Sequence, residues 1–277
     1  MQRSVQGTWL GISRQGRIAI LTNFREEGQI IEGARSRGEI PLAYLTLNSD
    51  SPEPPDQFAQ RLLEEEGVNG VGGFSLIFGQ LKKPSSGGNI GPLGILSNRT
   101  PNADDVVWLF GEQDKAPGHT VALSNSHYGD RGWPKVVRGE ELVDIAIQTS
   151  VDRQETTEIL IERFFEVLST DTLPTRKAGQ DWELYAWELR NSILIPPIGE
   201  SKIELHKPAD EVAAADDDSK LNTSGRAYGT QKQTVVLVDW QGKVIVVERT
   251  LFDNDTKAID LEQRDRRFEF EIEGWHG

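Results

Sequence analysis

Ser124-Asn125-Ser126-His127 sets two hydroxyls and an imidazole side by side, the residue types of nucleophilic acyl transfer. A hydrolase triad needs such groups to converge in space, and no Gly-x-Ser-x-Gly elbow frames either serine. The run is therefore not read as a serine-hydrolase site. Gly70-Val71-Gly72-Gly73 follows a predicted helix and precedes a predicted strand. A dinucleotide fingerprint needs the reverse order, so these glycines are turns. Ser85-Ser86-Gly87-Gly88 lacks the Gly-Lys-Ser/Thr that completes a phosphate-binding loop. Ala213-Ala214-Ala215-Asp216-Asp217-Asp218 gathers three carboxylates without the alternation of a calcium loop. The absence of cysteine removes disulfides, thiolate metal sites and cysteine nucleophiles together, and four histidines without HExxH spacing do not build a zinc site.

The formal charge of −14 opposes a nucleic-acid partner, because phosphate binding needs clustered Lys and Arg. Lys82-Lys83 and Arg264 to Arg267 are short basic groups bordered by neutral or acidic residues, and read as solvated surface. The same charge opposes docking on an anionic membrane. No apolar run approaches the roughly 20 residues of a membrane span. The residues Met1 to Gln6 carry neither an apolar signal core nor an Arg-rich amphipathic pattern, so a cytoplasmic protein is expected.

The elements that must hold any site begin with a hairpin, residues 7–12 and 17–24 around an Arg14-Gln15-Gly16 turn. Its second arm is almost continuously apolar, as for a strand covered on both faces. After Pro52-Glu53-Pro54-Pro55, a helix capped by Asp56 is expected through Gly67, with Phe58, Leu62 and Leu63 on one side. Strands follow at 74–80, 93–97, 106–110 and 120–124. Helices are expected over 139–149, with Leu142, Ile145 and Ala146 inward, and over 155–168, with Ile159, Leu160, Phe164, Phe165 and Leu168 inward. Residues 192–196 read as a strand stopped by Pro196-Pro197. Residues 200–225 have the composition of a disordered insertion loop. A hairpin of 234–240 and 243–250 turns at Gln241-Gly242, and Phe268, Phe270 and Ile272 alternate with acidic residues as an edge strand. Strands, two central helices and further strands make an α+β fold in one domain over 1–277, with two packed antiparallel sheets and helices outside.

Three blocks carry a family likeness. They are Gly7-Thr8-Trp9-Leu10-Gly11-Ile12 through Thr22-Asn23-Phe24-Arg25; Leu123-Ser124-Asn125-Ser126 with Trp133-Pro134-Lys135-Val136; and Tyr228-Gly229-Thr230-Gln231 with Val236-Leu237-Val238-Asp239 and Glu248-Arg249-Thr250. Together they resemble, in order and over nearly the whole chain, the NRDE-motif proteins of the transport and Golgi organisation 2 family. That resemblance implies an N-terminal nucleophile hydrolase-like fold, a four-layer αββα sandwich. Family members begin Met-Cys and carry an Asn-Arg-Asp-Glu motif on their first strands, and neither is present here. The expectation is a form that is N-terminally truncated, either through an incomplete gene reading or as a natural isoform, with an apolar sheet edge laid bare. Gln2 offers no nucleophile, and Ser4 or Thr8 would serve only after unusual proteolysis, so no hydrolase activity of that class is expected of the chain as written.

The resemblance implies an intracellular trafficking role in Golgi organisation and secretion, with Golgi or mitochondrial association and a small-molecule, haem or lipid ligand. No cofactor is firmly implied. Haem as a transported ligand would look to His127, beside Tyr128, for an axial bond, and the alternative is that the pair belongs to a surface turn. The other reading is an amide hydrolase whose nucleophile lies on the absent segment. Asn125 would then be an oxyanion donor, with Asn23 and Arg25 orienting a polar or carboxylate group of the substrate. A strand-end hydrogen-bond network is the competing role for these residues. A protein-interaction scaffold is the third reading.

Overall fold

The computed structural model describes residues 7–24, 36–47, 53–66, 68, 71–83, 91–111, 120–177, 180–198, 228–254, 256–260 and 262–275. The insertion-loop reading of 200–225 lies outside the described residues. The protein is mixed α/β, with two antiparallel sheets and several helices. The first sheet has the order β1-β2-β3-β4-β5, from Leu10–Ile12, Arg17–Asn23, Phe74–Gln80, Leu93–Ser97 and Val107–Leu109. The second has the order β6-β7-β8, from Lys232–Val238, Lys243–Thr250 and Asp265–Glu271.

Side-chain alternation sorts the first sheet into two faces. Ala19 and Leu21 on β2, Leu76 and Phe78 on β3 and Leu96 on β4 are buried together with Ile40 and Tyr44 of α1 (Glu39–Leu45) and Phe58 of α2 (Pro55–Gln60). Tyr44, Phe58 and Phe78 meet with ring centroids 4.7 to 5.5 Å apart, tilted or edge-on as aromatic quadrupoles prefer. On the opposite face Ile12, Ile18 and Leu93 pack against Val236, Val238, Val244, Val246 and Phe270 of the second sheet, around Leu81, Ile272 and Trp275. The alternate residues of that sheet, Val235, Leu237, Ile245 and Val247, pack on Ile161 and Phe165 of α4 (Thr157–Leu168). No residue of β2 is exposed, in line with its near-continuous apolar run.

Two turns are fixed by glycine. Gly16 has φ +79°, and a Cβ there would meet the Leu81 carbonyl oxygen at 2.7 Å. Gly242 has φ +84°, and its Cβ would strike the Trp275 ring at 2.4 Å. Trp275 closes that corner by donating from Nε1 to the Trp240 carbonyl at 3.0 Å.

Several elements differ from expectation. The helix at α2 begins at Pro55, whose fixed φ suits the first helical position, so Asp56 lies in its first turn instead of capping it. It runs on as a π-helical turn, Arg61–Glu66. The first long helix, α3, spans Pro134–Asp152 and starts earlier than its apolar stripe suggested, again at a proline. It buries Val136, Ala146 and Ser150, leaving Ile145 60% exposed. On α4 Ile161 takes the inward place expected of Ile159, which is exposed. No strand forms over 120–124, because side chains rather than a neighbouring backbone hold it. The Ala122 N–H donates to Glu140 at 3.2 Å and the Thr22 hydroxyl donates to the Ser124 carbonyl at 3.0 Å. Residues 192–196 likewise stay irregular. The Ile195 N–H donates to the Thr230 hydroxyl at 3.0 Å, and a single bridge joins Ile198 to Tyr228. The short helix α5 (Trp182–Ala186) leads into this stretch through a 3-10 turn.

A buried guanidinium ties the second sheet to its helix. Arg249 on β7 donates to Asp265 on β8 through two bonds of 2.8 Å, and to Glu162 on α4 at 3.0 and 2.6 Å. Its Cζ lies over the Phe165 ring, 3.7 Å from the centroid. The carboxylates, led by Asp265, hold its pKa well above the usual arginine value.

Candidate functional site

The strand end where β2 and β3 finish is where the expected site residues gather. Asn23 is the last residue of β2 and pairs with Phe74, the first of β3. Thr22 and Ser75 also face one another in register, and strand alternation turns both hydroxyls to the face that looks toward the second sheet. Those two hydroxyls anchor the 124–126 segment. Thr22 donates to the Ser124 carbonyl, and the buried Ser75 hydroxyl donates to the Ser126 carbonyl at 3.0 Å. Between these two pegs the Asn125 side chain reaches Asn23. Its Nδ2 donates to the Asn23 backbone carbonyl at 2.8 Å and to the Asn23 Oδ1 at 3.1 Å.

The Asn125 amide nitrogen thus donates to two oxygens of Asn23, while its own Oδ1, on an exposed residue, accepts no hydrogen bond among the described residues. In this arrangement Asn125 presents an acceptor, which suits a ligand N–H or O–H. Donating to an oxyanion would require one of the bonds to Asn23 to open. The rim is completed by Asn98, whose Oδ1 accepts from the Phe74 N–H at 3.2 Å, and by Arg99, stacked over Phe24 at 5.5 Å.

His127 sits two residues beyond Asn125 and is exposed, its imidazole making no hydrogen bond among the described residues. Its carbonyl accepts from the Asp130 N–H at 3.3 Å, so the pair His127-Tyr128 opens a tight turn before α3. Arg25 lies outside the described residues. Of the four expected site residues, the fold therefore brings Asn23 and Asn125 into direct contact and places His127 on the adjoining turn. Among the described residues no group of three or more His, Cys, Asp or Glu could hold a metal ion.

Thr22 and Ser75 were not singled out from sequence, although they determine where Asn125 points. Both are polar residues at strand positions that alternation turns toward the apolar interior, and that mismatch is the signal that could have marked them. No described helix is long and apolar enough to cross a membrane.

Comparison with known proteins bears on the whole chain. The family model described as Transport and Golgi organisation 2 matches residues 1–253. A Transport and Golgi organization 2 homolog of Mus musculus is 26% identical over 260 residues, covering 90% of this chain and 74% of that protein. The corresponding homolog of Homo sapiens is 26% identical over 277 residues, covering 96% and 79%. An uncharacterised protein of Saccharomyces cerevisiae is 23% identical over 287 residues, covering 98% and 84%. The matched span takes in the hairpin that carries Asn23, the segment that carries Asn125 and the strands that carry Arg249, and on that extent of agreement the chain belongs to the Transport and Golgi organisation 2 family.

Proposed function

We propose that this protein serves Golgi organisation and secretion as a binding protein, holding a small ligand at the strand end rimmed by Asn23 and Asn125. The names of its mouse and human relatives support the trafficking side of this reading. The observation that carries the binding side is the pair of hydrogen bonds from the Asn125 amide nitrogen to Asn23, which leaves the Oδ1 of this exposed residue as the acceptor. A rigid acceptor on a strand end orients a ligand without chemistry being asked of it. Haem or a lipid is the ligand class in view. For haem, the exposed His127 imidazole on the adjoining turn is the axial donor. The working compartment is the cytoplasm, in association with Golgi or mitochondria.

The test is complementation in cells that lack the resident family member. The wild-type chain should restore the rate of cargo secretion, and Asn125→Ala should not, at equal protein level. Equal rescue by both would remove the strand end from the function. Haem titration gives a separate readout. A Soret shift on binding that weakens in His127→Ala supports haem as the ligand, and no shift in the wild-type chain rules it out.

A second reading, an amide hydrolase of the N-terminal nucleophile class, draws on the packing order. Helices α1 and α2, the first sheet, the second sheet and α4 follow one another through three apolar clusters, which supports a four-layer αββα sandwich of that class. Here Asn125 would release Asn23 to face an oxyanion, and the nucleophile would lie on a segment preceding the first hairpin. An in-frame upstream Met-Cys in the native transcript, followed by amide hydrolysis in the protein so extended, is what this reading requires.

A further inference from the structure

We propose that β8 is the contact of a symmetric dimer, in which two copies of this chain join their second sheets edge to edge by antiparallel pairing centred on Phe268. β8 closes the β6-β7-β8 order, with β7 as its neighbour on one side and no strand on the other among the described residues. It is seven residues long, and every one but Phe270 is exposed. A long, unbulged edge of this kind is a template for another strand, and proteins that must stay alone shorten, bend or cover such edges.

The ladder to β7 fixes which backbone groups point outward. The Thr250 N–H donates to the Arg264 carbonyl at 2.8 Å and the Ile272 N–H to the Gly242 carbonyl at 2.9 Å, so the even-numbered residues bond toward β7. Asp265, Arg267, Glu269 and Glu271 therefore turn their N–H and C=O groups to the free edge. No hydrogen bond meets those groups among the described residues.

Two such edges pair antiparallel only where outward residues lie opposite outward residues. The register that overlaps the whole strand sets Arg267 opposite the partner's Glu269, and the two-fold axis repeats that pair. With the pair Arg267–Glu269 at 2.6 Å inside each chain, the four charges then alternate in sign around the axis. Sliding the register by two residues shortens the ladder and sets Arg267 against its own copy, or Glu269 against its own copy. Like charges directly opposite are destabilising, so the sign pattern selects the full overlap. At its ends Asp265 meets the partner's Glu271, but the charge of Asp265 is already bound by Arg249 through two bonds of 2.8 Å.

The other face of β8 gives the apolar part of the contact. Phe270 packs into the cluster between the sheets, whereas Phe268 on the same face is 57% exposed. In the selected register Phe268 lies on the axis, opposite its own copy. That pair is of the kind that exchanges no backbone bonds, which brings side chains closest, with Cα atoms about 4.5 Å apart. Each exposed ring then covers the other. A strand of another protein could add to the same edge. The sequence Arg-Phe-Glu, however, is its own complement when read in reverse, which favours a second copy.

The chain has no cysteine, so Phe268→Cys introduces one thiol per copy. The full wild-type chain should sediment as a dimer at micromolar concentration. Phe268→Cys should oxidise to a disulfide-linked dimer about ten-fold or more faster than Lys257→Cys, an exposed position away from β8, because the axial spacing suits a disulfide. Arg267→Glu and Glu269→Arg should each weaken dimerisation about ten-fold or more, and an equimolar mixture of the two should recover it. A monomeric wild-type chain overturns the proposal and leaves the edge to a different partner. Equal oxidation at the two cysteines, a dimer indifferent to charge reversal, or a mixture no tighter than its components overturns it as well.

Discussion

The Asn125 amide is bound twice by one residue, Asn23, which stands 102 positions away in the chain. The contact is held from both sides by Thr22 and Ser75, which grip the carbonyls of Ser124 and Ser126. A loop that would otherwise sample many conformations is thereby given one, and its amide one orientation.

Asn125→Ala should cost little stability, because both lost bonds are at an exposed residue. A decrease of about 0.5–1 kcal/mol in urea unfolding is expected. Ser75→Ala should cost more, on the order of 1–2 kcal/mol, since it strands the buried Ser126 carbonyl. If Asn125→Ala proves the more damaging of the two, the pegs are not what orders this segment.

Arg249→Met should destabilise the fold by roughly 2 kcal/mol, since it leaves Glu162 and Asp265 facing each other without their shared cation. The partial exposure of both carboxylates keeps the figure below that of a sealed pair. Arg249→Lys should recover only a small part, because one ammonium cannot make two bidentate pairs while keeping the contact over Phe165. Full recovery by lysine would show that charge alone matters here. Chemical denaturation of the three proteins decides it.

Lys135→Met should raise stability near neutral pH, on the order of 1 kcal/mol, by removing an ammonium that the folded state desolvates. Its folded pKa, about 8, lies below the unfolded value. Between the two the unfolded chain binds the extra proton, so wild-type stability climbs with pH across that window. The advantage of the methionine variant should therefore be full below about pH 8 and fade above it. A constant difference from neutral to alkaline pH would mean that packing, not charge, is responsible.

Gly242→Ala meets two obstacles at once, a left-handed backbone and the Trp275 ring. The backbone term alone is about 1–2 kcal/mol, and displacement of Trp275 adds to it. Loss of the Trp275 bond to the Trp240 carbonyl should appear as a red shift in tryptophan emission before global unfolding. An unshifted spectrum with unchanged stability would show that the turn relaxes around the methyl group.

Most of the strands were legible because alternation or a continuous apolar run marks them regardless of their partners. β3 and β4 fall on the expected residues, and the last hairpin turns at Gly242 as expected. The misses share a cause. Residues 120–124 and 192–196 have strand-like composition, but a strand needs a continuous ladder beside it; side chains of Thr22 and Glu140 hold the first, and the second has only isolated backbone bonds, to Thr170 and Thr230, beside the Thr230 hydroxyl. Ile145 and Ile159 read as core from their apolarity, yet each helix had two apolar rows to offer. Contact with the neighbouring element chose the other row.

By itself the sequence determined the α+β class, both glycine turns and the family, because local periodicity, positive φ and ordered motifs are properties of the chain taken a few residues at a time. It also marked Asn23 and Asn125 as residues worth watching. That the two touch, and that Lys135 is desolvated, were decided only in the tertiary structure. Hydrogen bonds and desolvation depend on groups brought together from distant parts of the chain, and no local pattern encodes their distance.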